Sequence, residues 1–140
     1  MGKSDQYSKK TIMVVDDDES VKSFLAFSLK SEGFQVMEVI DAETVLSLIK
    51  TRKPDLILLD IMLPKMDGIT LCRKLREKED TAKIPILFIT AYGEPNGVQR
   101  AKEVGAQGLI EKPIMFDELL MQVLDALNGN FSLPTRLKFK

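Results

Sequence analysis

Residues 55–68 read DLILLDIMLPKMDG. Leu56–Leu59 is an unbroken apolar run, the pattern of a strand covered on both faces. The run stops at a carboxylate, Asp60. Met66-Asp67-Gly68 then supplies a turn, and Ile69, Cys72 and Leu75 recur at helical spacing beyond it. A doubly covered strand leading into a helix is half of a βαβ unit, so it predicts a parallel sheet.

The flanking sequence repeats the alternation. Upstream, Thr11–Val15 (TIMVV) is a β-branched run and reads as the first strand. Val21, Phe24, Leu25 and Leu29 follow at helical spacing, and Gly33 ends that helix. Phe34–Val39 alternates apolar and polar residues, a second strand with a more exposed face. Ala42, Val45, Leu46 and Ile49 mark a second helix that stops before Pro54. Downstream, Pro85–Ile89 is a fourth strand and Gly108–Ile110 a short fifth. Between them, residues 94–104 predict a helix whose start is weakened by Pro95 and Gly97. Phe116, Leu119, Leu120, Val123, Leu124 and Leu127 line a last helix that ends near Gly129. Five strands alternating with five helices predict an α/β, doubly wound, three-layer sandwich with helices on both faces. The expected domain is 11–128, with an N-terminal tail (1–10) and a C-terminal tail or truncated linker (129–140).

Composition removes most chemistries. The chain has 140 residues and no histidine, so there is no Ser-His-Asp triad, no Cys-His pair and no imidazole metal ligand or base. A single cysteine, Cys72, excludes an intramolecular disulfide and a CxxC motif, and it reads as a small core residue. The net charge of −1 is unevenly placed: the two ends are basic and the body is acidic. An acidic body argues against a nucleic-acid surface on this domain. No apolar run reaches the roughly 18 residues of a membrane span, and no signal peptide is visible, which predicts a cytoplasmic protein.

The polar residues gather at one edge of this frame. Asp16-Asp17 follows the first strand, Asp60 the third, Thr90 ends the fourth, and Lys112-Pro113 lies past the fifth. In a doubly wound sheet of order 2-1-3-4-5, ligands bind at the carboxyl ends of strands one and three, where the order reverses. Three carboxylates meeting there repel one another unless cations join them. Lys112 supplies one charge. All-oxygen donors select Mg²⁺ or Mn²⁺, held by Asp16 and Asp17 directly or through water. Asp60 can then act as a nucleophile toward phosphorus, with Lys112 and the Thr90 hydroxyl gripping phosphoryl oxygens. Asp18 and Glu19 read as first-turn helix acids. A cis Lys112–Pro113 bond is expected.

The pieces VVDDDES (14–20), DLILLDIMLPKMDG (55–68), ILFITA (86–91) and EKPI (111–114) together resemble the receiver domain of two-component response regulators, over residues 10–128. The resemblance implies a flavodoxin-like, CheY-like fold. It implies that Asp60 takes a phosphoryl group from a phosphohistidine on a sensor histidine kinase or histidine phosphotransfer protein. It assigns metal binding to Asp16, Asp17, Asp60 and the Met62 backbone carbonyl, and switching to Thr90. It implies an output face on helix four, strand five and helix five, serving a downstream output protein or a fused output domain, as a monomer or a phosphorylation-dependent dimer. Weak self-catalysed phosphotransfer and autodephosphorylation come with the family. One departure is Leu109, where the family usually carries an aromatic switch residue. Met62 and Tyr92 flank the expected pocket and are candidates for tuning access of the hydrolytic water. Gly93, Pro95 and Gly97 mark either a mobile switch loop or a poor helix start.

Two other functions fit fewer residues. Asp16-x-Asp18-x-Ser20 resembles the DxDxT signature of haloacid-dehalogenase phosphatases, with Asp16 as nucleophile, Asp18 as acid, and Thr90 and Lys112 as later motifs. That reading leaves Asp60 without a role and lacks a later acidic pair. A receiver-fold adaptor that is never phosphorylated would leave the whole acid set unexplained. A chain without histidine has an acceptor but no donor of its own, so its phosphoryl group must come from another molecule.

Overall fold

The computed structural model describes residues 9–91 and 93–130. Five parallel strands form one sheet in the order β2-β1-β3-β4-β5: β1 (Thr11–Val15), β2 (Gln35–Val39), β3 (Leu56–Asp60), β4 (Ile86–Thr90) and β5 (Gly108–Glu111). Five helices connect and follow them: α1 (Glu19–Ser31), α2 (Ala42–Leu48), α3 (Gly68–Glu77), α4 (Gly97–Glu103) and α5 (Phe116–Leu127). The predicted fold class and strand order are those observed.

Alternation along each strand divides the core in two. Ile12, Val14, Leu56, Leu58, Leu87, Ile89 and Ile110 point to the face covered by Leu25 and Leu29 of α1 and Leu119 and Val123 of α5. Met13, Val15, Ile57, Leu59, Ile86, Phe88 and Leu109 point to the other face, against Val45 of α2, Leu71, Cys72 and Leu75 of α3, and Ala101 of α4. Burial on both faces is why β3 and β4 carry no alternating polar residue. β2 lies at an edge and keeps Gln35 and Glu38 exposed.

Aspartates start three helices. Asp18 accepts from the Ser20 and Val21 amides, Asp41 from Thr44, and Asp67 from Thr70. α4 has no such cap: its N-cap is Asn96 in the left-handed region at φ 61°, without a side-chain hydrogen bond. The weak start expected from Pro95 and Gly97 is therefore present, and it delays the helix from residue 94 to Gly97. Thr90 ends β4 as expected, while two other strand ends differ: Asp60 is the last residue of β3, and β5 extends to Glu111. Ladder pairing carries the strands one residue past the apolar runs that marked them. Most of the expected N-terminal (1–10) and C-terminal (129–140) tails lies outside the described residues.

Candidate phosphoryl-transfer site

All five strands run the same way, so their carboxyl ends share one rim of the sheet. β1 and β3 are hydrogen-bonded neighbours, with Val15 opposite Leu59. Asp16, Asp17 and Asp60 leave that rim together, and one carboxylate oxygen from each lies within 4.8 Å of the others. Asp16 and Asp60 are buried and Asp17 is exposed.

Local backbone fixes each acid. Asp16 Oδ1 accepts from the Asp18 amide at 2.8 Å, and Asp60 Oδ1 accepts from the Met62 amide at 3.0 Å. Both are Asx-type contacts that tie a carboxylate to the loop after it. Lys112 Nζ stands 3.8 Å from Asp60 Oδ2, an ion pair across the pocket. The Lys112 amide donates to the Thr90 carbonyl at 2.8 Å, which holds the β5 exit against the end of β4. The Lys112–Pro113 bond is cis, as expected.

The electrostatics are unbalanced without a further cation. Burial pushes the Asp16 carboxyl up to about 6, its largest influence; the nearby Asp60 carboxylate adds to this, while the Asp18 amide and Lys112 oppose it. Among the described residues, two buried side-chain atoms have no hydrogen-bond partner, Asp16 Oδ2 and Thr90 Oγ1. Buried polar atoms of this kind are uncommon, and each calls for a partner from outside the protein chain. An unpartnered carboxylate oxygen beside two other carboxylates, in a cluster that among the described residues includes no histidine or cysteine, suits a hard divalent cation. The Thr90 hydroxyl can either accept or donate a hydrogen bond.

The sequence-predicted residues are sorted by this geometry. Asp16, Asp17, Asp60, Thr90 and Lys112 converge on the rim. The Met62 main chain lies against Asp60 while its side chain is exposed. Asp18 and Glu19 belong to α1, as a cap and a first-turn acid. Leu109 is buried in the core on the α4 side. Tyr92 lies outside the described residues. Sequence reading missed the part played by Gly68. A Cβ there would overlap the Asp60 carbonyl and come within 3.0 Å of the Ile61 Cα. Gly68 N also donates to the Ile61 carbonyl at 2.9 Å. Only a glycine lets α3 start this close to the strand that carries Asp60. The glycine in LPKMDG was the available signal, although a turn explained it equally well.

The chain is similar to known proteins over most of its length. The profile of the response regulator receiver domain matches residues 12–124. The chain is 40% identical over 114 residues to the phosphate regulon transcriptional regulatory protein PhoB of Pseudomonas aeruginosa, covering 81% of this chain and 50% of that protein. It is 35% identical over 127 residues to the DNA-binding dual master transcriptional regulator RpaA of Synechocystis, covering 91% of this chain and 53% of that one. The chain thus spans about half the length of these curated relatives. Among solved structures, the receiver domain of NtrX from Brucella abortus superposes with a TM-score of 0.79 at 31% identity, over 84% of this chain and 98% of that one. The signal receiver domain of a signal transduction histidine kinase from Syntrophus aciditrophicus gives 0.80 at 32% identity, over 86% and 91%.

Proposed function

Because this chain belongs to the response regulator receiver domain family, we propose that it is a phospho-acceptor switch of a two-component phosphorelay, with Asp60 as the acceptor. One observation carries the reading: three carboxylates share a rim with a single lysine, while a buried carboxylate oxygen and a buried threonine hydroxyl lack partners. In the transfer, the P–N bond of a partner's phosphohistidine breaks and an Asp60 oxygen–phosphorus bond forms. The imidazole nitrogen keeps the electron pair.

Asp16, Asp17, Asp60 and the Met62 carbonyl are the groups to hold Mg²⁺ or Mn²⁺, which supplies positive charge to the phosphoryl oxygens when bound. Lys112 pairs with Asp60 in the resting protein and is placed to follow the charge onto the phosphoryl group. The Thr90 hydroxyl then gains the partner it lacks. Motion of Thr90 and of β5, which carries Leu109, leads to the α4–β5–α5 face as the output surface. The site does this as a signalling domain, with slow self-catalysed transfer and hydrolysis whose rate Met62 and Tyr92 tune.

The donor is a sensor histidine kinase or a histidine phosphotransfer protein, since the chain has no histidine of its own. PhoB and RpaA carry names of transcriptional regulators, which favours an output protein or output domain acting on DNA. No helix among the described residues is long and apolar enough to cross a membrane, in keeping with a cytoplasmic place of action. The haloacid-dehalogenase alternative is disfavoured because Asp18, its required acid, spends its carboxylate on the Ser20 and Val21 amides.

The test is intact-mass spectrometry after incubation with Mg²⁺ and acetyl phosphate, followed by peptide mapping. One phosphoryl group on Asp60, lost in Asp60→Asn and retained in Asp18→Asn, is the expected result. A phosphoryl group on Asp16 would overturn the assignment.

A further inference from the structure

α5 buries an amide in an apolar stripe. Gln122 is 1% exposed and lies among Leu119, Val123 and Ala126, which pack on the sheet. A buried amide is costly unless its hydrogen bonds are made. Gln122 Nε2 donates to the Leu109 carbonyl at 3.2 Å and to Glu118 Oε2 at 3.2 Å. The hole that receives it is shaped by a glycine: a Cβ on Gly108 would lie 2.5 Å from Gln122 Oε1 and 2.8 Å from Leu87 Cδ2. Gln122 is thus a polar peg seated in β5.

β5 is short, and the candidate site sits at its other end. Gly108–Glu111 pairs with Leu87–Thr90, and the next residue, Lys112, bonds the Thr90 carbonyl and faces Asp60. The Leu109 side chain turns to the α4 side of the sheet, away from α5, so only its main chain can reach α5. A shift of β5 must therefore carry α5 with it through the peg, or break a buried hydrogen bond. Breaking it would cost a hydrogen bond in a buried setting.

We propose that Gln122, seated against Gly108 and bonded to the Leu109 carbonyl, is the joint through which the state of the Asp60 pocket moves α5. It is a positioning residue and touches no reacting atom. The inference rests on the phospho-acceptor reading above. It places the link in the main chain at position 109, where leucine offers no polar side-chain atom.

Hydrogen exchange of the α5 amides (116–127) tests it on the full chain with Mg²⁺, with and without acetyl phosphate, while intact mass reports phosphorylation separately. In the unmodified sequence, phosphorylation is expected to change α5 exchange by about fivefold or more, in the range of ordinary coupling energies. Gln122→Met keeps the length and removes the amide. It should gain the same phosphoryl mass while its α5 response falls below about twofold. Gly108→Ala should give the same loss by filling the hole from the strand side. Full phosphorylation of Gln122→Met with an undiminished α5 response would overturn the joint alone. No mass gain in the unmodified protein would overturn the phospho-acceptor reading, and the joint with it.

Discussion

The Asp16 carboxyl titrates about 6 in the fold against an ordinary value of 3.8, chiefly because it is buried. Folding thus favours its protonated form between those two values. The destabilisation is fully present above about 6 and fades as the pH falls toward 3.8. For this group alone, metal-free protein should gain stability on acidification through that window, and Mg²⁺ affinity should fall because protons compete for the same oxygen. Melting curves in EDTA across the window check the first point, with Asp16→Asn expected to lose that slope. Asp60→Asn removes a neighbouring negative charge while its amide oxygen can still accept from Met62 N. It should stabilise the metal-free fold by about 1 kcal/mol, measurable by urea unfolding, while abolishing phosphoryl uptake. A destabilised Asp60→Asn would mean that the Lys112 pair outweighs the repulsion.

Single elements are held by contacts that periodicity does not encode. The α3 N-terminus sits on the end of β3 because Gly68 has no Cβ. The opposing atoms are backbone and cannot swing aside. Gly68→Ala should therefore cost about 1–3 kcal/mol, as overpacking does, and should weaken Mg²⁺ binding by displacing Asp60. Isothermal titration with Mg²⁺ would show it. At the other end of α3, the Arg76 guanidinium donates to the carbonyls of Gly105, Thr81 and Ile84 and to Gln107 Oε1. It thereby ties the α3–β4 loop to the α4–β5 turn, while Gln107 Oε1 also accepts from the Ile86 amide. Charged hydrogen bonds contribute about 1.5–3 kcal/mol each at most, and several act through one side chain here. Arg76→Ala should lower stability by about 2–3 kcal/mol, with exchange rising first at Thr81–Ile84 and Gly105–Gln107. An arginine in the last turn of a helix reads in sequence as an ordinary C-terminal cation, so its cross-chain contacts were not legible. Gln122 did leave a trace, as the polar residue inside the Leu119–Val123 stripe. Its partner at Leu109 could only be found once α5 was packed on β5.

For the molecule as a whole, a divalent cation held by the acid rim, as proposed above, would link metal binding to folding. Mg²⁺ at about a hundredfold excess over its Kd should stabilise the protein by about 2.7 kcal/mol, and the thermal shift should shrink in Asp16→Asn and in Asp17→Asn. Equal shifts in all three proteins would place the ion elsewhere. The order of residues along the chain already settled the strand and helix order, the parallel sheet, and the delivery of Asp16, Asp17, Asp60, Thr90 and Lys112 to the strand ends. It could do so because hydrophobic periodicity is local and each of these residues lies within two positions of the end of a run of it. Only the packed fold shows which oxygens remain unpartnered and how far burial raises the Asp16 carboxyl. It also decided that Gln122 seats against Gly108. These properties depend on distances and desolvation between residues far apart in the chain, and no local pattern carries them.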